Sequence, residues 1–215
     1  MTNENATIYI VDDDPSVRRS LGRLLGSVNY QIESFSSAQD FMELGSYKTP
    51  CCLVLDVTMP DITGLEVQEK LSSLEINIPI IFITGFATIP MSVHAMKSGA
   101  VNFLEKPFDK VEIIAEIEKA IQLDTQAAKE KTEIYDIKKS INSLTSRENE
   151  VFMLVTTGKL NKQIAAELGV CEKTIKVHRA KVMEKMQVRS LAELVHLSDR
   201  VFYPPSRNIT HNSGI

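Results

Sequence analysis

Three consecutive carboxylates, Asp12, Asp13 and Asp14, follow one apolar run of the chain, and Asp56 closes another. Thr84 ends a third run and Lys106 follows a fourth. Carboxylates gathered at one place repel each other unless a cation neutralises them. A few all-oxygen ligands suit Mg2+, which keeps several waters and bridges to phosphate. An aspartate can also attack phosphorus and become an aspartyl phosphate. The transferring group then needs its charge met by metal on one side and by an ammonium and a hydroxyl on the other. Asp13, Asp56, Lys106 and Thr84 are the parts for that chemistry. Taken singly, each has an ordinary reading: a strand-end Asp caps or turns, a strand Thr reflects propensity, and a Lys before Pro is a solvated charge. Their arrival at successive run ends favours the joint reading.

Those run ends must meet for the chemistry to work. Ile8 to Val11, Gln31 to Phe35, Cys52 to Leu55, Ile78 to Ile83 and Val101 to Leu104 are short, apolar and rich in β-branched or aromatic residues, which predicts five strands. Amphipathic stretches between them carry helix starts at Asp14-Pro15, Thr88-Ile89-Pro90 and Asp109 with Glu112, and a stop at Gly99. Alternating strands and crossover helices predict an α/β fold with a parallel sheet. In the order 2-1-3-4-5, ligands collect at the carboxyl edge beside strands 1 and 3, where Asp12, Asp13 and Asp56 emerge. Pro107 biases Lys106 toward an extended conformation facing the same pocket.

The whole chain has 215 residues, 43% hydrophobic and 24% charged, with a formal charge of −4. Its composition is neither fibrous nor low-complexity, and no apolar stretch approaches the ~20 residues of a membrane helix. The leading MTNENATIYIV lacks a basic region before an apolar core, and Cys51, Cys52 and Cys171 form neither an even framework nor a metal spacing. The expectation is a cytoplasmic protein without membrane attachment. The charge is uneven. Residues 1–124 hold 9 Lys and Arg against 18 Asp and Glu, whereas residues 144–215 hold 11 against 7. An acidic front and a basic end suggest two functions, the second directed at an anionic partner such as nucleic acid.

The segments IYIVDDDPSVRRSL, LVLDVTMPDITGLE, FITGFATIPMSVHAMKSGA and VNFLEKPF resemble the receiver domain of two-component response regulators, whose fold is flavodoxin- and CheY-like. The resemblance implies Asp56 as phosphoacceptor, with Asp13, Asp56 and the backbone carbonyl of Thr58 as ligands of Mg2+ or Mn2+ and Asp12 acting through water. It makes Thr84 and Phe103 a switch pair and gives Lys106 a phosphoryl oxygen to hold. Phe86, Ala87 and Thr88 depart from the more polar segment that relatives often carry.

From residue 144 the pattern becomes wholly helical. Thr145 with Glu148 and Ser190 with Glu193 have capping-box spacing, and Gly158 and Gly169 mark helix ends. Two short helices about a Gly-containing turn fit a helix-turn-helix. On the second of them Ile175, Val182 and Met186 can face a core, leaving Lys173, Lys176, Arg179, Lys181 and Lys185 on other faces. The run from LTSRENEV to SLAELV resembles the LuxR-type four-helix DNA-binding domain. That resemblance implies Lys176, Val177 and Ala180 on the groove side, and Asn161, Lys162, Thr174, Arg179 and Lys181 against phosphates; Lys173 joins the same basic helix. Cys171 stands at a helix start where relatives often have Ser, and His178 is read as packing rather than metal binding.

The expected domains are a receiver over 1–124, a helical linker over 125–143, a helix-turn-helix domain over 144–202 and a flexible tail over 203–215. The linker pattern of Ile134, Ile137, Ile141 and Leu144 favours helix, and both an unbroken helix and a break near Thr125 fit it. Together the halves resemble a response regulator of the FixJ subfamily, not an enzyme. The resemblance implies a sensor histidine kinase, promoter DNA, a homodimer formed on phosphorylation and RNA polymerase as partners. Two other readings remain: a DNA-binding regulator whose receiver pairs without phosphate, and an aspartyl-phosphate hydrolase, which would need a second acid where Thr58 stands.

Overall fold

In the computed structural model, which describes residues 5–203, five strands form one parallel sheet in the order β2-β1-β3-β4-β5. The strands are β1 (Thr7–Val11), β2 (Gln31–Phe35), β3 (Cys51–Asp56), β4 (Ile80–Thr84) and β5 (Asn102–Glu105). Helices α1 (Pro15–Gly26), α2 (Ala38–Met42), α3 (Gly64–Ser73), α4 (Ile89–Lys97) and α5 (Lys110–Asn142) alternate with them. β1, β3 and β4 are buried along their whole lengths, as strands covered on both faces must be. Their residues divide alternately between two cores. Tyr9, Leu53, Leu55 and Phe82 pack with Phe41, Val67 and Leu71 on one face. Ile8, Ile10, Val54 and Ile81 pack with Leu21, Leu25, Ile113 and Ile117 on the other.

Every strand but β2 differs from expectation by one or two residues: β1 and β3 begin one residue early, at Thr7 and Cys51, and β3, β4 and β5 each end one residue later, at Asp56, Thr84 and Glu105. β4 begins at Ile80 rather than Ile78 because Pro79 has no N–H for the ladder; its carbonyl accepts from Leu53 N–H at 2.9 Å. β5 begins one residue late, at Asn102. The helix starts follow their caps: Asp14 accepts from Ser16 N–H, Thr63 and Glu66 form a reciprocal capping box, and Thr88 accepts from Met91 N–H. Helix α5 continues past Thr125, whose hydroxyl donates to the Ile121 carbonyl at 2.7 Å, so the unbroken alternative is the one observed. Within the first unit α5 is tied to the sheet by Asp124, a buried carboxylate that accepts from Cys51 N–H at 2.8 Å. Burial pushes the neighbouring Cys51 thiol up to about 12.

The chain divides into two compact units between Ala128 and Lys129. The second contains α6 (Ser146–Thr156), α7 (Asn161–Leu168), α8 (Glu172–Lys185) and α9 (Leu191–Phe202). Its core joins Val151, Phe152, Ile164, Ile175, Val182 and Leu194, with Ile137 of α5 buried among them and Ile141 and Leu144 packed alongside. Three of the four residues of the expected linker pattern, Ile137, Ile141 and Leu144, thus belong to this core. Gly169, at φ +66°, makes the turn between α7 and α8. Of the expected tail, residues 204–215 lie outside the described residues, and Tyr203 is exposed.

Glu148 ties α6 to its neighbours. It forms the capping box with Thr145 and accepts from Lys185 Nζ of α8 at 2.6 Å, while the same ammonium donates to Ser143 O at 3.0 Å. The hydrogen bond from Lys185, then that from Thr145, holds the Glu148 carboxyl down at about 2, against an ordinary value of 4.5. A depressed carboxyl stabilises the fold above its unfolded pKa and loses that contribution as pH falls through its folded one. Replacing Glu148 by Gln is therefore expected to destabilise the protein at pH 7. The gap from wild type narrows from about pH 4.5 toward pH 2 in denaturant titrations; a gap independent of pH would contradict this linkage.

Candidate functional site

The carboxyl ends of β1 and β3 bring Asp12, Asp13 and Asp56 together, with one oxygen of each lying within 4.8 Å of the others. Asp12 and Asp56 are buried and Asp13 is exposed. Lys106 crosses from the end of β5 and donates to Asp12 Oδ2 at 2.7 Å and to Asp56 Oδ2 at 2.8 Å. Burial raises the Asp12 carboxyl above its ordinary value, with the Lys106 contact opposing. Burial also works against the Lys106 ammonium, but its bonds to both aspartates prevail and hold its pKa up. Three carboxylates against one ammonium leave the pocket two charges negative, a donor set of hard oxygens that fits a divalent cation.

Backbone and neighbouring side chains fix this cluster. Asp14 N–H donates to Asp12 Oδ1 at 2.8 Å, and Thr58 N–H to Asp56 Oδ1 at 3.1 Å. Thr84 is fully buried, and its hydroxyl is engaged with Phe86, accepting from the N–H at 3.2 Å and facing the carbonyl at 3.3 Å. Its hydrogen bonds therefore run into its own loop rather than to Asp56. Phe86 itself is 73% exposed. Phe103 is half-buried opposite Phe82 in the β4–β5 register, with ring centroids 6.1 Å apart.

One contributor escaped the sequence reading. Arg18 Nη1 donates to the Asp12 carbonyl at 2.6 Å and to the Asp13 carbonyl at 2.9 Å, bracing the acidic turn from α1. Its position on the first turns after Pro15 was the available sign, since a helix returns such a residue over its own start. Beside Asp13 opens a cleft of about 490 Å³ lined by Met42, Met59, Ile62 and Lys70 among others.

In the second unit Lys173, Lys176, Val177 and Ala180 are exposed and recur at steps of three, one and three, a single face of α8. Lys162 on α7 and Lys181 on α8 are exposed as well. Arg179 and Asn161 meet each other, Nη1 to Oδ1 at 3.1 Å, so the two expected phosphate contacts act as a pair joining α8 to α7. Thr174 is half-buried, and its hydroxyl lies 3.1 Å from the thiol of Cys171. Cys171 is the N-cap residue of α8 but makes no side-chain capping bond, as expected of a thiol. Lys185 is committed to Glu148 and Ser143. Ser190 caps α9, but the expected box is incomplete. Glu193 returns to the Arg189 N–H at 2.9 Å instead of the Ser190 N–H.

An acidic pocket with a bridging lysine on a five-stranded parallel sheet, joined to a helix-turn-helix, defines a two-component response regulator with a DNA-binding output. Residues 8–118 match the response regulator receiver domain family and residues 142–198 the bacterial regulatory proteins, luxR family. The chain belongs to the FixJ-like, LuxR-type response regulators, which are transcriptional regulators rather than enzymes. It is 44% identical to Nodulation protein W of Bradyrhizobium diazoefficiens, covering 90% of this chain and 86% of that protein. It is 40% identical to Transcriptional regulatory protein FixJ of Rhizobium meliloti, covering 93% and 98%. The solved structure of the response regulator StyR is 44% identical, with a TM-score of 0.81 over 91% of this chain and 99% of that one. A receiver joined to a DNA-binding domain implies a sensor kinase and DNA as partners. Among the described residues no helix is long and apolar enough to cross a membrane.

Replacing Lys106 by Met leaves Asp12 buried without its counter-charge. The expected loss of stability is about 3 kcal/mol, the low end for breaking a buried pair because a fifth of the Lys106 side chain is exposed. Millimolar Mg2+ should restore more stability to this variant than it adds to wild type in urea titrations. Equal gains would argue against a shared cation pocket.

Proposed function

We propose that Asp56 accepts a phosphoryl group from a sensor histidine kinase and that its phosphorylation promotes homodimerisation and promoter binding. The observation that carries this reading is the Lys106 ammonium bonded to both Asp12 and Asp56 beside the exposed Asp13. Asp13, Asp56 and the Thr58 carbonyl are the proposed ligands of Mg2+ or Mn2+, with Asp12 acting through water. The bound cation supplies charge neutralisation for the phosphoryl oxygens. Asp56 attacks phosphorus through a carboxylate oxygen, and the donor's histidine nitrogen leaves with the electron pair of the broken P–N bond. Lys106 turns from its aspartates to a phosphoryl oxygen. Thr84 then exchanges its bonds to Phe86 for one to the phosphoryl group, and Phe103 follows inward. The added ~1.5 to 2 negative charges bias this two-state loop.

Residues 1–124 serve as the receiver in this reading, 125–143 as a helical linker, 144–202 as the DNA-binding domain and 203–215 as a tail, in a cytoplasmic protein. On DNA, Lys176, Val177 and Ala180 face the major groove, with Lys176 reading a base edge. Lys162, Lys173, Thr174, Lys181 and the Asn161–Arg179 pair contact the backbone. The exposure of the α8 stripe supports this assignment. RNA polymerase is a proposed partner once the dimer is bound.

Incubation with acetyl phosphate and Mg2+ should label wild-type protein at Asp56 by mass spectrometry and leave Asp56→Asn unlabelled; an unlabelled wild type would reject the reading. For DNA, Lys176→Ala is expected to cost about 1 to 3 kcal/mol and relax preference at one base position. Lys162→Ala should weaken all sequences alike and reduce the salt slope by about 1 in fluorescence anisotropy titrations. Equal losses for cognate and random duplex in the Lys176 variant would remove it from base readout.

A further inference from the structure

Gln68 lies on α3, outside the pocket, and is 4% exposed. Its amide nitrogen donates to two carbonyls at the end of α4, Ala95 O at 3.2 Å and Ser98 O at 3.1 Å. The amide oxygen is buried and has no hydrogen-bond partner among the described residues. Turning the amide over would set that oxygen against two carbonyl oxygens, so α4 dictates its orientation even though a buried, unpaired acceptor is costly. Other contacts to α4 are more exposed: Met91 packs partly buried against the core, and His94 Nε2 lies 3.7 Å from Glu69 Oε1 of α3. Ala95 is its one fully buried residue, while Ile89 is 81% and Val93 44% exposed.

The other end of the same face of α3 touches the phosphoacceptor's own backbone. Gly64 is four residues before Gln68, one helical turn along the same face. A Cβ at Gly64 would lie 2.3 Å from the Asp56 carbonyl oxygen, and the Gly64 N–H donates to Val57 O at 2.9 Å. No side chain cushions that contact. A shift of the Asp56–Val57 backbone must therefore move the start of α3, and the helix delivers that motion to Gln68.

We propose that α3 is a strut coupling the Asp56 backbone to the carboxyl end of α4, with Gln68 as the positioning residue that holds α4 in its resting place. The inference rests on the reading of Asp56 as phosphoacceptor. It adds a connection that bypasses Thr84 and Phe103. Because coupling between two sites is reciprocal, releasing α4 must make the activated pocket easier to reach.

The test is a beryllofluoride titration of the full chain at fixed Mg2+, read by the methyl resonances of Met91 and Met96 on α4. Gln68→Leu is expected to shift both resonances before any addition and to lower the half-saturating beryllofluoride about 5- to 10-fold, the low end of ordinary coupling between sites. Unchanged or weaker beryllofluoride affinity overturns the strut, whether or not the methyls move, since a purely local packing contact would alter only the methyls. If the Leu variant does not fold, Gln68→Met keeps the chain length without the donors and carries the same comparison. A wild type that binds no beryllofluoride would reject the phosphoacceptor reading itself. Failure of the strut alone would leave wild-type binding intact and the variant's beryllofluoride affinity no tighter than wild type's.

Discussion

The receiver pocket depends on one ammonium shared by two buried carboxylates. Asp12 has no exposed surface, and its burial alone would favour the neutral acid. Lys106 supplies the opposite charge to Asp12 and, 2.8 Å away on its other side, to Asp56. The arrangement is stable without being saturated, since Asp13 remains exposed and the cluster still carries an excess of negative charge. In the proposed function, a site balanced in this way would take up a cation and then a phosphoryl group by moving Lys106 rather than rebuilding the sheet edge.

Sheet topology makes that sharing possible. Asp12 and Asp56 leave adjacent strands, and the β1–β3 register pairs Val11 with Leu55 immediately before them. Lys106 follows β5, two strands beyond β3, and only a long side chain reaches back across β4. Thr84 sits at the end of the intervening strand, and Lys106 N–H bonds to its carbonyl at 2.7 Å. The lysine and the hydroxyl are thus held to a common backbone segment. Movement at either is felt by the loop that precedes α4.

Much of this was legible because the chemistry falls at element ends, which short apolar runs, Pro, Gly and capping residues mark strongly. The same rules fail where a side chain has two local options. Ser190 and Glu193 have capping-box spacing, but the Glu193 carboxylate finds the Arg189 N–H one residue earlier, and spacing alone does not separate the two. Ile137, Ile141 and Leu144 gave the helix but not its allegiance, since periodicity reports an apolar face and not the core that receives it. Arg18 and Gln68 were invisible for another reason. Their partners are main-chain carbonyls, and a carbonyl has no letter in the sequence.

The charge distribution constrains how such a regulator can work. The first 124 residues carry nine more acidic than basic side chains, and residues 144–215 carry four more basic than acidic. A phosphoryl group would make the acidic part more negative by ~1.5 to 2 charges. Through space, that change repels DNA and attracts the basic module, so simple electrostatics opposes promoter binding on both counts. Screening at physiological ionic strength, with a Debye length of ≈ 8 Å, weakens the penalty without reversing its sign. If phosphorylation activates the protein as proposed, activation would therefore have to come from geometry: a repositioned α4 surface, paired subunits and two DNA-binding units engaging two half-sites at once. The buried bonds that hold α4, rather than the charge of the phosphoryl group felt at a distance, are where the energy of that change has to be sought.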